Sequence, residues 1–450
     1  MLIIPETPRG GCSKIIGGQV ELFYEGQELP IAHHPARAGR IFFGGALPTR
    51  AQFLGGGALA LLASSMNASP ASANTGSRLL IATDEGVVND GSTPVNARIN
   101  QLSTTLAENG GGAIVFPPGL YAVDDEGIEM RHQVSFFGLG ESTQFMPVGT
   151  WGELAGVFRI GTDKKNNTDP VYRSGLHDLS IKPGQDAFQH ADSAENVVGI
   201  LYNTHNGPKP SDPDAAHRVS GITLWDLDMG IKLKGVDDQG MTVECIRGRR
   251  FLRSALVVGE SFAAGAADNM FSMIDLSSAN LAKVDAATVE VYATNTSWSQ
   301  VKTWYSKRSV ALQGDEKSGA GFYIKATRNT FNQCEAQDNG GHGFLIKYGN
   351  NSFVSCIADS NGHKDNLSGS AMLGEAHGFH ISKDAPGTQL IGCQSFNRDS
   401  ENPGQGVGFW VEDGNQEVIV TGNAFGNMNQ NSMASDVENA NQQVIDGGTQ

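Results

Sequence analysis

The chain is 450 residues long, 39% apolar and only 18% charged, with 57 glycines and a formal net charge of −16. The acidic balance argues against non-specific nucleic-acid binding, while leaving room for a local basic strip that meets a polyanion. Low charge with abundant glycine and polar turn residues suits an all-β chain with many turns better than a helical bundle. The five cysteines, Cys12, Cys245, Cys334, Cys356 and Cys393, are odd in number and widely spaced, with no CxxC pair. That pattern makes neither a disulfide framework nor a zinc site, and predicts small buried thiols.

Residues 1–73 read as a leader. Leu54 to Ala63 is an apolar run too short to span a bilayer, and it ends in Ala71-Ser72-Ala73, an A-x-A cleavage pattern. The order around it resembles a twin-arginine signal with Thr49 in place of the first arginine. Export by a Tat-like or Sec route to the periplasm or the exterior is the expectation, with no stable membrane insertion. Residues 1–45 precede the usual signal and read as an over-long start or an extension.

From residue 74 the predicted elements are regular. Thr93 is placed to cap a helix that starts at Pro94 and shows one apolar face through Ile99, Leu102 and Leu106; Asn109 to Gly112 end it. Ala113 to Phe116 then reads as a strand, stopped by Pro117-Pro118-Gly119. Downstream, one motif, G-F-x-[IV]-x, recurs at Gly321–Lys325, Gly343–Lys347, Gly378–Ser382 and Gly408–Glu412, with a fainter copy at Gly230–Lys234. A second strand follows each copy, at 329–339, 351–361, 388–397 and 416–427. A unit this small cannot bury its own apolar face and must stack on its neighbours.

Alternation assigns the faces. Phe322/Ile324, Phe344/Ile346, Phe379/Ile381 and Phe409/Val411 point inward, and Cys334, Cys356 and Cys393 form an internal column continued by Thr421. Outward columns run Lys232, Tyr323, Leu345, His380, Trp410 and Lys234, Lys325, Lys347, Ser382, Glu412. Residues 262–310 lose the repeat and read as irregular coils or a lateral excursion. Residues 74–430 are thus one solenoid domain, and 431–450 a loose polar tail.

The opening DG…INxxL…GGGxxxxPPGxYxV and the G-F-x-[IV] coils together resemble the pectate-lyase superfamily, over residues 84–427. The resemblance implies a single-stranded right-handed parallel β-helix with an N-terminal capping helix, and a polysaccharide or oligosaccharide substrate. Asp237-Asp238, Gly341-His342-Gly343 and Ile346-Lys347 resemble pieces of the polygalacturonase signature. The coils also resemble those of mannuronan epimerases, although no DPH triplet is present.

An aromatic and basic strip suits a uronate chain, since rings stack on aromatic faces and cations meet carboxylates. The leading expectation is therefore a secreted polysaccharide lyase acting by β-elimination, with Lys325, Lys347, His342 and Asp238 as catalytic candidates. A lysine serves as base if a neighbouring cation depresses its pKa. Lys232, Lys234, Tyr323, His380, Trp410 and Arg247 are the substrate-binding candidates, Arg247 with the basic run that continues through Arg253. A glycoside hydrolase or transglycosylase using Asp226, Asp228, Asp237 and Asp238 stays open, as does a non-catalytic glycan-binding β-helix. No cofactor is demanded, and Asp237, Asp238 and Asp359 leave room for Ca2+. His217 and His377, at coil corners, read first as structural hydrogen-bonders. A homo-oligomer is compatible with the sequence.

Overall fold

The computed structural model describes residues 78–428, except 154, 161–170, 172, 185–192, 204–216, 235–238, 262–265, 310–316, 364–366, 369–373, 399–403, 413–414 and 416, together with strands at 12–16, 19–23 and 442–446. Residues 1–73 form one compact unit and 74–450 another. In the first, Cys12–Ile16 pairs antiparallel with Gln19–Phe23. The apolar run and the A-x-A pattern of the expected leader lie outside the described residues.

The second unit is a parallel β-helix. Each strand pairs in parallel with the strand one coil on, so each side chain stands over a fixed partner. Phe322, Phe344, Phe379 and Phe409 share one column, with rings stacked at 4.7, 4.6 and 5.3 Å. A second ladder runs Phe271, Trp298, Phe331, Phe353 at 4.3, 5.7 and 4.6 Å. All are fully or almost fully buried, and each such side chain stabilises the fold by about 1.5–3 kcal/mol.

The turns add a polar ladder. The side-chain oxygens of Asn351, Asn361 and Gln405 accept the backbone N–H groups of Asn329, Asn339 and Asn361 in the preceding coil. These buried bends thereby satisfy main-chain donors that the strands leave over.

Three expectations about the elements are corrected. The helix spans Asn96–Glu108, with Val95 at its N-cap and no side-chain cap, because Asp90–Pro94 is drawn into a strand beside Gly119–Val123. Its apolar residues Ile99, Leu102 and Leu106 enter the core. Gly111 and Gly112 follow it where any Cβ would lie 2.6 and 2.5 Å from backbone oxygens. Within the stretch expected to be irregular the repeat persists: Met270–Ser277 and Ser297–Trp304 are in register with one another and with the next coil. Their loops are longer and Trp298 replaces a phenylalanine, which hid the period. Gln442–Asp446 adds a strand to Ile419–Phe425 where a loose tail was expected, since the open edge of the last coil offers unpaired main-chain groups.

The cysteine column holds, but its continuation does not. Cys334, Cys356 and Cys393 are fully buried, free thiols, and the Cys356 and Cys393 thiols bond to the carbonyls of Phe331 and Phe353. Hydrogen bonding to the neighbouring thiol and burial push both well above the usual thiol range. A bulge at Gly392 places Thr421 opposite Ile391 and brings Gly422 opposite Cys393. There a Cβ would meet the Cys393 carbonyl at 2.4 Å.

A thiol reagent should leave Cys334, Cys356 and Cys393 unmodified in the native protein and modify all three after denaturation, while exposed Cys245 reacts at once. Fast native labelling of the column would contradict the register. Cys356→Asp should destabilise strongly by burying an unpaired charge, read as a fall in Tm. Deleting residues 96–108 should leave the first coils open and yield insoluble protein; a soluble product melting at the unchanged temperature would remove any capping role for the helix.

Candidate functional site

The first strand of each coil carries two outward rows. One runs Lys232, Val257, Glu290, Tyr323, Leu345, His380, Trp410 in unbroken register. The other lies two residues further on. It contains Tyr292, Lys325, Lys347, Ser382 and Glu412, whose N–H groups bond to carbonyls of the preceding coil. Rungs lie about 4.8 Å apart, so both rows are straight tracks along the solenoid.

At the C-terminal end of these rows three imidazoles meet. One ring nitrogen from each of His342, His377 and His380 lies within 4.8 Å of those of the other two. Their hydrogen bonds have one direction. The backbone N–H of His377 donates to His342 Nδ1 at 2.9 Å, which fixes the His342 proton on Nε2. That N–H faces His380 Nδ1 at 3.3 Å, so His380 carries its proton on Nε2 and donates it to Glu412 Oε1 at 2.8 Å. Glu412 Oε2 accepts the Lys383 backbone N–H at 2.9 Å. The result is a proton chain from a buried imidazole to a carboxylate that is 29% exposed.

Charge follows from the same geometry. The His380 hydrogen bond, with help from the Lys383 N–H and from the charge of Lys347, lowers Glu412 to about 2 despite burial. Burial first, then the charges of His380, His377, Arg308 and Lys347, holds His342 well below the usual imidazole range. Burial and His380 lower His377 to about 3. Half-buried Trp410 stacks on His377 with ring centres 5.0 Å apart and planes 15° apart.

The structure therefore brings His342, His380, Trp410 and Lys347 together and puts Lys325 one rung before Lys347. It separates the rest. Tyr323 is only 8% exposed and Leu345 is fully buried. They pack with Ala287, Ala320 and Tyr292, and Lys317 lies 5.7 Å over the tyrosine ring. Tyr323 thus offers no open stacking platform. Lys232 lies five rungs from His380 and pairs with Glu260 at 3.6 Å; Lys234 is its neighbour in the second row. Between them and Tyr323 stands buried Glu290, which accepts bonds from Ser254, Tyr292 and Lys317. Arg247 is on another strand row of an earlier coil. Asp238, like Asp237, lies outside the described residues.

The paired-acid expectation fails at Asp226 and Asp228. Both are buried. Arg250 holds Asp226 at 2.7 Å, and Arg253 grips both oxygens of Asp228 at 2.6 Å. Asp359 does not suit Ca2+ either, because Ser360 and Arg398 occupy its carboxylate. A divalent cation on the three histidines would need the lone pair of His342 Nε2. That would move the proton to Nδ1, against the His377 N–H, so the residues fit a proton chain better than a metal centre.

Glu412 escaped sequence reasoning as a functional group, although it sits in a predicted outward row. The available signal was its spacing, two residues beyond Trp410 and one coil beyond His380. His377 was visible only as the residue before a repeat motif.

No family model matches the chain, and no curated protein matches it. Solved structures do. The A-module of mannuronan C-5 epimerase AlgE6 from Azotobacter vinelandii is similar over 82% of this chain and 100% of its own, with 16% identity and a TM-score of 0.58. The AlgE4 A-module from the same organism covers 82% and 99%, with 13% identity and a TM-score of 0.55. A tailspike of E. coli bacteriophage HK620, solved with a pentasaccharide, covers 82% and 67%, with 14% identity and a TM-score of 0.53. At such identities the likeness shows the fold alone, a right-handed parallel β-helix.

Acid should weaken the protein through its neutral imidazoles. His377, lowered to about 3, and His177 and His217, lowered to about 4 chiefly by burial, take up protons more readily when unfolded. Their contribution is present above about pH 6.5 and is lost as pH falls toward 4 and then 3. Tm should drop over that window, and His217→Asn should make the drop shallower; an equal drop in the variant would count against this origin.

Proposed function

We propose that the protein is a carbohydrate-active enzyme that removes the C5 proton of a uronate within a glycan chain and cleaves the chain by β-elimination. The observation that carries this reading is the directed chain His342–His380–Glu412, beside Trp410 and the Lys325/Lys347 row. β-Elimination needs a base for the C5 proton, a cation for the carboxylate and a proton donor for the leaving oxygen. Lys325 takes the first role and Lys347, nearer His380 and Glu412, the second. His380, oriented by Glu412, takes the third. The C5–H electron pair becomes the C4–C5 double bond and the C4–O bond breaks. The departing oxygen receives the Nε2 proton of His380, whose tautomer the His342 Nε2–H fixes, and the C5 proton taken by Lys325 returns to His380 through solvent. Trp410 supplies a flat apolar surface for a sugar ring.

The likeness to two proteins named as mannuronan C-5 epimerases supports this substrate class, because C-5 epimerisation and β-elimination share their first step. Hydrolysis is the weaker reading, since the best-placed acids, Asp226 and Asp228, are spent in buried ion pairs. Export from the cell belongs to the same proposal, given the leader-like residues 54–73.

Alginate, polygalacturonate and neutral polysaccharides, screened for the ultraviolet absorbance of a C4–C5 double bond, for new reducing ends and for hydrogen exchange at C5 in deuterated water, test it. Absorbance and reducing ends should rise together on a polyuronate. His380→Ala should lower kcat by about 10²–10⁴-fold at an unchanged Tm, and Trp410→Ala should mainly raise KM. Exchange without absorbance would replace elimination by epimerisation. Reducing ends without absorbance, or full activity in His380→Ala, would overturn the proposal.

A further inference from the structure

The third strand of each coil presents another face, built on different residues. One outward column there runs Trp225, Arg249, Ser277, Trp304, Gln337 in unbroken register. Two residues earlier on the same strands a parallel column contains Arg247, Asp275 and Lys302. Trp225 and Trp304 are only half-buried, three rungs or about 14 Å apart along the axis.

The indoles are held in place from within the face. Trp304 Nε1 donates to Asp275 Oδ1 at 2.6 Å. The Arg249 guanidinium and the Lys302 ammonium lie 5.6 and 5.9 Å from its ring centre. Lys182 lies 5.2 Å over Trp225. Arg247, with a side chain 60% exposed, reaches Glu141 only at 4.0 Å. A protein of net charge −16 thus sets Arg247 and Arg249, with Lys302 paired to Glu335 at 3.0 Å and buried Lys182, around two partly exposed tryptophans on one straight track.

We propose that this face is a second contact surface for an acidic glycan chain, with sugar rings on Trp225 and Trp304 and carboxylates on Arg247 and Arg249. Rungs about 4.8 Å apart match the length of one pyranose residue, so successive sugars meet successive rungs. Planar guanidinium groups pair with carboxylates through two hydrogen bonds. Rings whose orientation is already set lose little freedom on binding. The proposal shares its ligand class with the function proposed above and none of its residues. Its role is to hold a long polymer while the first-strand face acts on it.

Retention of the full chain in native gels cast with alginate, polygalacturonate or neutral dextran tests the surface without requiring turnover. Arg247→Ala/Arg249→Ala and, separately, Trp304→Ala should each weaken polyuronate retention at least tenfold. Higher salt should weaken it further, and dextran should not retain the protein. Arg247→Ala alone, at an exposed position, guards against misfolding and should show a smaller loss with an unchanged Tm. On any cleaved polyuronate, these variants should raise KM for the polymer and leave kcat for short oligomers unaltered, whereas His380→Ala should lower kcat and keep retention. Unchanged polyuronate retention in both the double arginine and the Trp304 variants would overturn the proposal, as would equal retention by dextran. Retention lost only in first-strand variants would also refute it.

Discussion

Parallel hydrogen bonding from one coil to the next is the constraint on which the rest of this protein depends. It locks each residue over a partner about 4.8 Å away, so any side chain placed once is placed in a column. Inside, the columns become the phenylalanine ladders and the cysteine ladder. Outside, they become tracks, and a track is the natural receptor for a linear polymer. The turn asparagines extend the same logic to the corners, where side-chain oxygens replace strand carbonyls as acceptors for the neighbouring coil.

Stacking also dictates what is costly. A group that enters an inner column must match its neighbours in size and leave no polar atom unpaired. That explains three successive thiols at one position, and a glycine opposite Cys393 where the backbone closes to 2.4 Å of a virtual Cβ. On the outer rows burial is decided by the loops. Where loop residues such as Lys317 and Ala320 fold over the row, Tyr323 and Leu345 become a small satellite core. Further along the row His380, Trp410 and Glu412 remain partly exposed.

The histidine cluster shows how a β-helix can assemble a polar site without a dedicated loop scaffold. His342 and His377 come from the turns just before two repeat strands, His380 from the second of those strands and Glu412 from the end of the third. Three coils thus contribute to one proton chain, and its polarity is set by a single backbone N–H that donates to His342. Desolvation keeps the inner rings neutral, and the carboxylate at the outer end stays ionised. Groups with opposed proton affinities, joined by hydrogen bonds, are the arrangement from which acid–base catalysis is built.

The sequence by itself determined the solenoid, because the G-F-x-[IV] repeat and the period-2 alternation are local and permit one stacking. It determined the inner columns and which residues face outward, including the row that holds His380 and Trp410 and the row that holds Lys347 and Glu412. It determined less where the period was stretched: residues 262–310 looked irregular because their loops are longer, yet their strands keep register. The tertiary structure alone decided which outward residues are exposed, since Tyr323 and Lys317 meet only when a loop folds back. It alone joined His342, His380 and Glu412, residues 32 to 70 positions apart whose contact depends on the lengths of the intervening loops. The fate of Asp226 and Asp228 was likewise invisible, because an acid on a strand looks the same in sequence whether it faces a substrate or a buried arginine one coil away.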